Sequence, residues 1–132
     1  MQSNSNLKLT AIIGLGGAVG AMGRYGISVL LTEEGFPIAT LCTNLFGCFL
    51  LSFLVHQNHI KKLLPPSIFT ALTVGLIGSF TTFSTFSVET IALWNSTKIL
   101  AVLYIMISVV GGLLFCLAGY KVGIGNREKA KS

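Results

Sequence analysis

Thr81, Thr82, Ser84 and Thr85 bring four hydroxyls together around Phe83, with Phe86 next in line, inside a run apolar enough to cross a bilayer. A simple lipid-facing anchor would carry Leu, Ile and Val there. Hydroxyls at membrane depth need hydrogen-bond partners or water. Gly75 and Gly78, just upstream, weaken the helix, and the β-branched threonines do little to restore it. Non-helical backbone within the hydrocarbon is tolerated only where protein or a water cavity covers it. An unwound turn frees carbonyls, and freed carbonyls ligate hard cations such as Na⁺. The chemistry of this stretch is that of a path or an ion site.

Polar groups elsewhere fall into one-sided patterns. Thr40, Asn44 and Gly47 share a helical face at i, i+4 and i+7. An Asn amide donates two hydrogen bonds, which suits an anion, and as a lone residue it serves equally well to tie two helices together. Tyr104, Ser108, Gly111 or Gly112, and Phe115 form a second stripe. Arg24 lies in an apolar run, where facing lipid costs at least ~2.5 kcal/mol, so it should snorkel or point into a watery cavity. Anchoring and anion attraction are both open for it. Phe83 and Phe86, three apart, stack along one side, as core aromatics also do. Polar stripes on several spans together suggest a narrow polar pathway.

The elements that must position these groups are four apolar segments, roughly 7–31, 38–55, 67–94 and 99–120, followed by a basic tail at 121–132. Each is close to the ~20 residues that cross ~30 Å of hydrocarbon. The third is longer, leaving room for a tilt or a break. A mean hydropathy of +0.80, with 52% hydrophobic and 10% charged residues, excludes an ordinary soluble domain. The expected fold is an all-α membrane protein of one domain with four transmembrane helices and a broken third. The first segment runs on past Arg24, too long for a signal-peptide core. Gly16 and Gly20 form a G-x-x-x-G face for close helix approach. Cys42, Cys48 and Cys116 lie in apolar segments without a C-x-x-C and read as packing residues. His56 and His59 sit in the polar connector before Lys61 and Lys62, where a solvated or headgroup-level loop is expected.

A net charge of +5 does not require nucleic acid, because placement accounts for it. Lys8, Lys61, Lys62, Lys121, Arg127, Lys129 and Lys131 fall on the side of the termini; Lys98 falls on the other, opposed by Glu33 and Glu34. The positive-inside rule then puts both termini in the cytoplasm of a multi-pass plasma-membrane protein. No Ser–His, metal or paired-carboxylate arrangement falls in one place, so an enzyme is not expected.

Gly16-Gly17-x-x-Gly20-Ala21-x-x-Arg24-Tyr25, Thr40-x-x-x-Asn44-x-x-Gly47 and Gly75-x-x-Gly78-x-x-Thr81-Thr82-Phe83-Ser84-Thr85-Phe86 together resemble the Fluc/CrcB fluoride channels. The similarity runs over all four segments. It implies a passive, fluoride-selective channel that exports cytoplasmic fluoride, assembled as an antiparallel dual-topology dimer with two pores. It also implies roles: Phe83 and Phe86 as pore phenylalanines and Asn44 as a pore-lining donor. Thr82, Ser84, Thr85, Tyr104 and Ser108 would lie beside the anion path, with Arg24 near its entrance. The carbonyls of Gly78 and Thr81 would hold a structural Na⁺ at the dimer centre. Such donors suit fluoride, a small and strongly hydrated ion whose water a pore must replace.

Two features depart from the family pattern. Ser79 stands where many members have a second glycine. The strong charge bias is at odds with a homodimer inserted both ways, so a partner homologue of opposite orientation is expected, with this chain supplying the working pore residues. Two rival readings are weaker. A proton-coupled four-helix exporter lacks its carboxylate in the first segment, since no acid precedes Glu33. A non-transporting scaffold explains the glycines and leaves the hydroxyl–phenyl cluster without a purpose.

Overall fold

In the computed structural model the backbone is described for residues 2–31 and 35–129 and the side chains for 6–31 and 35–125. Glu33, Glu34, Lys131 and the side chains of Arg127 and Lys129, all part of the charge argument, lie outside the described residues. The described elements are helical: α1 (Gln2–Leu30), α2 (Ile38–His56), α3 (Asn58–Leu63), α4 (Pro66–Thr70), a wide π-helical stretch (Ala71–Ile77), α5 (Gly78–Phe80), α6 (Phe83–Ser96) and α7 (Lys98–Lys129). Among the described residues, four stretches are long and apolar enough to cross a membrane: Asn6–Leu30, Ile38–His56, Pro66–Ser96 and Lys98–Gly125.

The boundaries follow local chemistry. Gly35 takes a positive φ of 107° in the connector before α2, a conformation costly for a residue with a Cβ. Pro66 begins α4, where its missing N–H is no loss. Thr97, with an extended backbone, separates α6 from α7. The expected polar loop at His59 is instead the short helix α3, while His56 ends α2 with its Nδ1 2.8 Å from the Ser52 carbonyl. The basic tail continues the last helix to Lys129. Gly123 seats that extension against α2: a Cβ there would stand 3.1 Å from the Phe53 carbonyl oxygen.

Two glycine seams hold the bundle. Along the first, α1 packs on the π-helical stretch. A Cβ at Gly16 would stand 2.5 Å from the Ala71 carbonyl oxygen, one at Gly75 2.5 Å from that of Ile13, and one at Gly20 would collide with that of Leu76. The G-x-x-x-G face is therefore used within the chain, by backbones in direct contact. Along the second seam, α2 packs on α7, and a Cβ at Gly119 would strike the Phe49 carbonyl. The buried hydrophobic core is small, comprising Ala71, Ile77, Leu93, Ala101 and Tyr104. Most large apolar side chains face outward, as they must where the surroundings are lipid or another membrane helix.

Candidate ion pathway

Between α5 and α6 the helical dihedrals stop for two residues. Thr81 (φ −83°, ψ 158°) and Thr82 (φ −149°, ψ 127°) are extended. The Thr82 hydroxyl caps α6, accepting from the Thr85 N–H at 3.2 Å and donating to the Thr85 hydroxyl at 3.0 Å; the Ser84 hydroxyl lies 3.4 Å away. The Thr81 hydroxyl donates back to the Ile77 carbonyl at 3.0 Å. The costly hydroxyls of the motif thus find their partners largely within the motif.

The backbone of Thr82 is held from outside by Asn44. The Asn44 amide nitrogen donates to the Thr82 carbonyl at 2.9 Å, and the Thr82 N–H donates to the Asn44 side-chain oxygen at 2.8 Å. Leaving both groups unpaired would cost ~1–3 kcal/mol apiece. One turn further along α2, a Cβ at Gly47 would collide with the Thr81 methyl, so Asn44 and Gly47 form a socket for the two extended residues. Asn44 therefore ties helices together and keeps one amide proton in reserve.

A cavity of about 400 Å³ opens beside this turn, lined by Asn44, Gly78, Thr81, Thr82, Phe83, Phe86 and Ser108 among others. Most of the residues singled out in the sequence converge there. The Phe83 and Phe86 ring centroids are 6.0 Å apart, tilted by 38°. Phe83 is 80% exposed, so its ring faces away from this chain's own core. The Ser108 hydroxyl oxygen is buried and has no hydrogen-bond partner among the described residues, which marks it as a donor in want of an acceptor.

Arg24 and Thr85 line a second cavity, of about 320 Å³, with Thr40, Thr43 and Glu89, next to the connector before α2. The Arg24 Nε donates to the Ser79 carbonyl at 3.3 Å, placing a positive charge where the helical stretch ending at Phe80 presents its last carbonyls. Tyr104 is fully buried, and its hydroxyl donates to Glu89 at 2.8 Å rather than pointing into the first cavity. Its ring packs on Phe86 at 5.0 Å and edge-on to Phe36 at 5.5 Å. Thr40 donates to the other Glu89 carboxylate oxygen at 2.8 Å.

Glu89 is the residue that sequence reasoning passed over. An intramembrane carboxylate is itself a functional flag. Its two hydroxyl partners lie 49 and 15 positions away, so no spacing pattern could reveal them.

Apolar helices joined by glycine seams, with two cavities beside the start of α6, define a small polytopic membrane protein. The chain belongs to the CrcB family: the family model described as "CrcB-like protein, Camphor Resistance (CrcB)" matches residues 11–120. It is 46% identical over 116 residues to the "Fluoride-specific ion channel FluC 1" of Bacillus cereus, covering 85% of both chains. A protein of the same printed name from Desulfitobacterium hafniense is 46% identical over 115 residues, 86% of this chain and 98% of that one. "Fluoride-specific ion channel FluC 2" of Listeria innocua is 42% identical over 108 residues, 81% of this chain and 84% of that one.

Proposed function

We propose that this chain forms a passive, fluoride-selective channel that lets cytoplasmic fluoride leave the cell. The observation that carries the reading is the meeting, in one cavity, of the Asn44 amide, the Thr82 turn, the Phe83–Phe86 pair and the unpartnered Ser108 hydroxyl. These are weak donors and positive ring edges, enough to replace part of an anion's water and too weak to trap it. Arg24 places a positive charge near the approach to the path, across the neighbouring cavity from Glu89. Thr82, Ser84 and Thr85 border the path; Tyr104 holds Phe86 at its back. Fluoride release from liposomes containing the purified protein, followed with a fluoride electrode, tests this. Absence of release with or without a co-expressed homologue overturns it.

The working unit in this reading is an antiparallel dimer whose third span functions as a broken helix within the bilayer. Outward-facing Phe83 and the exposed backbone at Gly78 support a second subunit covering that face. Among the described residues, no hydrogen bond reaches the Thr81 carbonyl, and none reaches the Gly78 carbonyl from outside its own helix. Two such oxygens fit part of the shell of a hard cation, and a second subunit would supply the rest. A sodium ion bound there would neutralise converging carbonyl dipoles and fasten the subunits. The Lys/Arg bias supports cytoplasmic termini and a partner homologue of opposite orientation, with this chain contributing the working pores. Terminal tags found equally on both faces of the membrane would overturn the heterodimer, as would strong flux from the purified chain alone.

A further inference from the structure

The pairing of Asn44 with Thr82 does something that lining a pore does not require. In an uninterrupted helix the Thr82 N–H would donate to the carbonyl four residues back, that of Gly78. Here it donates to Asn44, while the preceding N–H, that of Thr81, still makes its helical bond to Ile77 at 3.0 Å. The helix is thus intact up to the Ile77 carbonyl and is diverted at the next one. Gly78 is exposed, and beyond its own helix nothing lies within 4 Å of the place a Cβ would take, so that face of the backbone is open. The opposite edge of the Asn44 amide holds the Thr82 carbonyl, closing a two-bond bracket of the kind that paired strands make.

We infer that Asn44 is a positioning residue that holds the third span open and thereby links the two ion sites. Its oxygen draws the Thr82 N–H away from Gly78 and leaves the Gly78 carbonyl free to turn toward a cation. Its nitrogen fixes Thr82 at the start of α6 and keeps one N–H directed to the anion cavity. Gly47 completes the bracket by leaving room for the Thr81 methyl. The inference rests on the fluoride-channel reading above and adds a physical reason why cation and anion affinity should change together.

The test measures three quantities on the full chain, assembled with its partner where one is needed: fluoride flux, the sodium concentration at half-maximal thermal stabilisation (N-methylglucamine replacing sodium), and amide exchange at Thr82. In Asn44→Ala, loss of the bracket should raise the sodium midpoint and speed Thr82 exchange by about tenfold each, alongside loss of flux. In Phe83→Ile, flux should fall while the sodium midpoint and Thr82 exchange stay at wild-type values. Asn44→Ala protein that loses flux but keeps both other quantities overturns the inference and leaves the channel reading standing. Wild-type protein without fluoride flux overturns the channel reading, and the inference with it. If Asn44→Ala does not assemble, the wild type decides. Its Thr82 amide should exchange more slowly than that of Phe83, which has no acceptor among the described residues. Equal rates overturn the bracket.

Discussion

The two cavities flanking the start of α6 use the same residue types to opposite ends. Beside Asn44, polar capacity is left over: among the described residues, one amide proton and the Ser108 hydroxyl have no partner. Beside Glu89, capacity is committed: the Thr40 and Tyr104 hydroxyls each donate to one carboxylate oxygen. Each of these bonds satisfies a hydroxyl that would otherwise cost ~1–3 kcal/mol to bury unpaired. The difference separates a surface that can receive a passing ion from one that braces α2, α6 and α7. A hydroxyl within a membrane span is therefore no sign of a permeation path until its acceptor is known.

This contrast gives a graded set of experiments. The largest effect is expected at the open cavity: Phe83→Ala or Phe86→Ala should abolish fluoride efflux from liposomes. Unchanged efflux would remove the rings from the path. Next comes the braced cavity, where Glu89→Ala leaves two hydroxyls without their acceptor. A loss of about 2–5 kcal/mol, seen as a lowered thermal midpoint or failed assembly, is expected.

Tyr104→Phe sharpens the comparison, because it removes one bond to Glu89 and nothing from the open cavity. Stability should fall by about 1–2 kcal/mol while flux per assembled channel stays within twofold or so. Flux lost at full stability would move Tyr104 into the path. Ser108→Ala should do the reverse, lowering flux by roughly tenfold at unchanged or slightly raised stability, since the hydroxyl has no partner to lose. The smallest effect is expected off the glycine seam, at Gly26. Gly26→Ala meets nothing within 4 Å and should stay within about 0.5 kcal/mol of wild type. Gly20→Ala, which drives a methyl into the Leu76 carbonyl, should cost about 1–3 kcal/mol in the same melting assay.

Several features were legible before any coordinates. The spans follow from apolar length, and the glycines of α1 announce close packing, though they do not say which element approaches. The Thr/Phe string marked a cluster, and Thr81, Thr82, Phe83 and Phe86 do border one cavity. The individual roles were less legible. Asn44 stood open between donor and helix tie, and its geometry shows the tie, with one amide proton unpaired among the described residues. Arg24 stood open between anchor and anion attractor; its Nε meets the Ser79 carbonyl while the side chain borders a polar cavity. Tyr104 was grouped with the path on the strength of its stripe, yet its hydroxyl turns to Glu89.

What the sequence determined by itself was whatever depends on local transfer energy and helical period: the spans, the small-residue faces and the concentration of hydroxyls in one place. What the tertiary structure decided was the partner of each polar group. Asn44 meets Thr82 across 38 positions, Thr40 meets Glu89 across 49 and Arg24 meets Ser79 across 55. Within an apolar span the environment supplies no competing water, so those distant partners fix whether a group is free to meet an ion or is already bound.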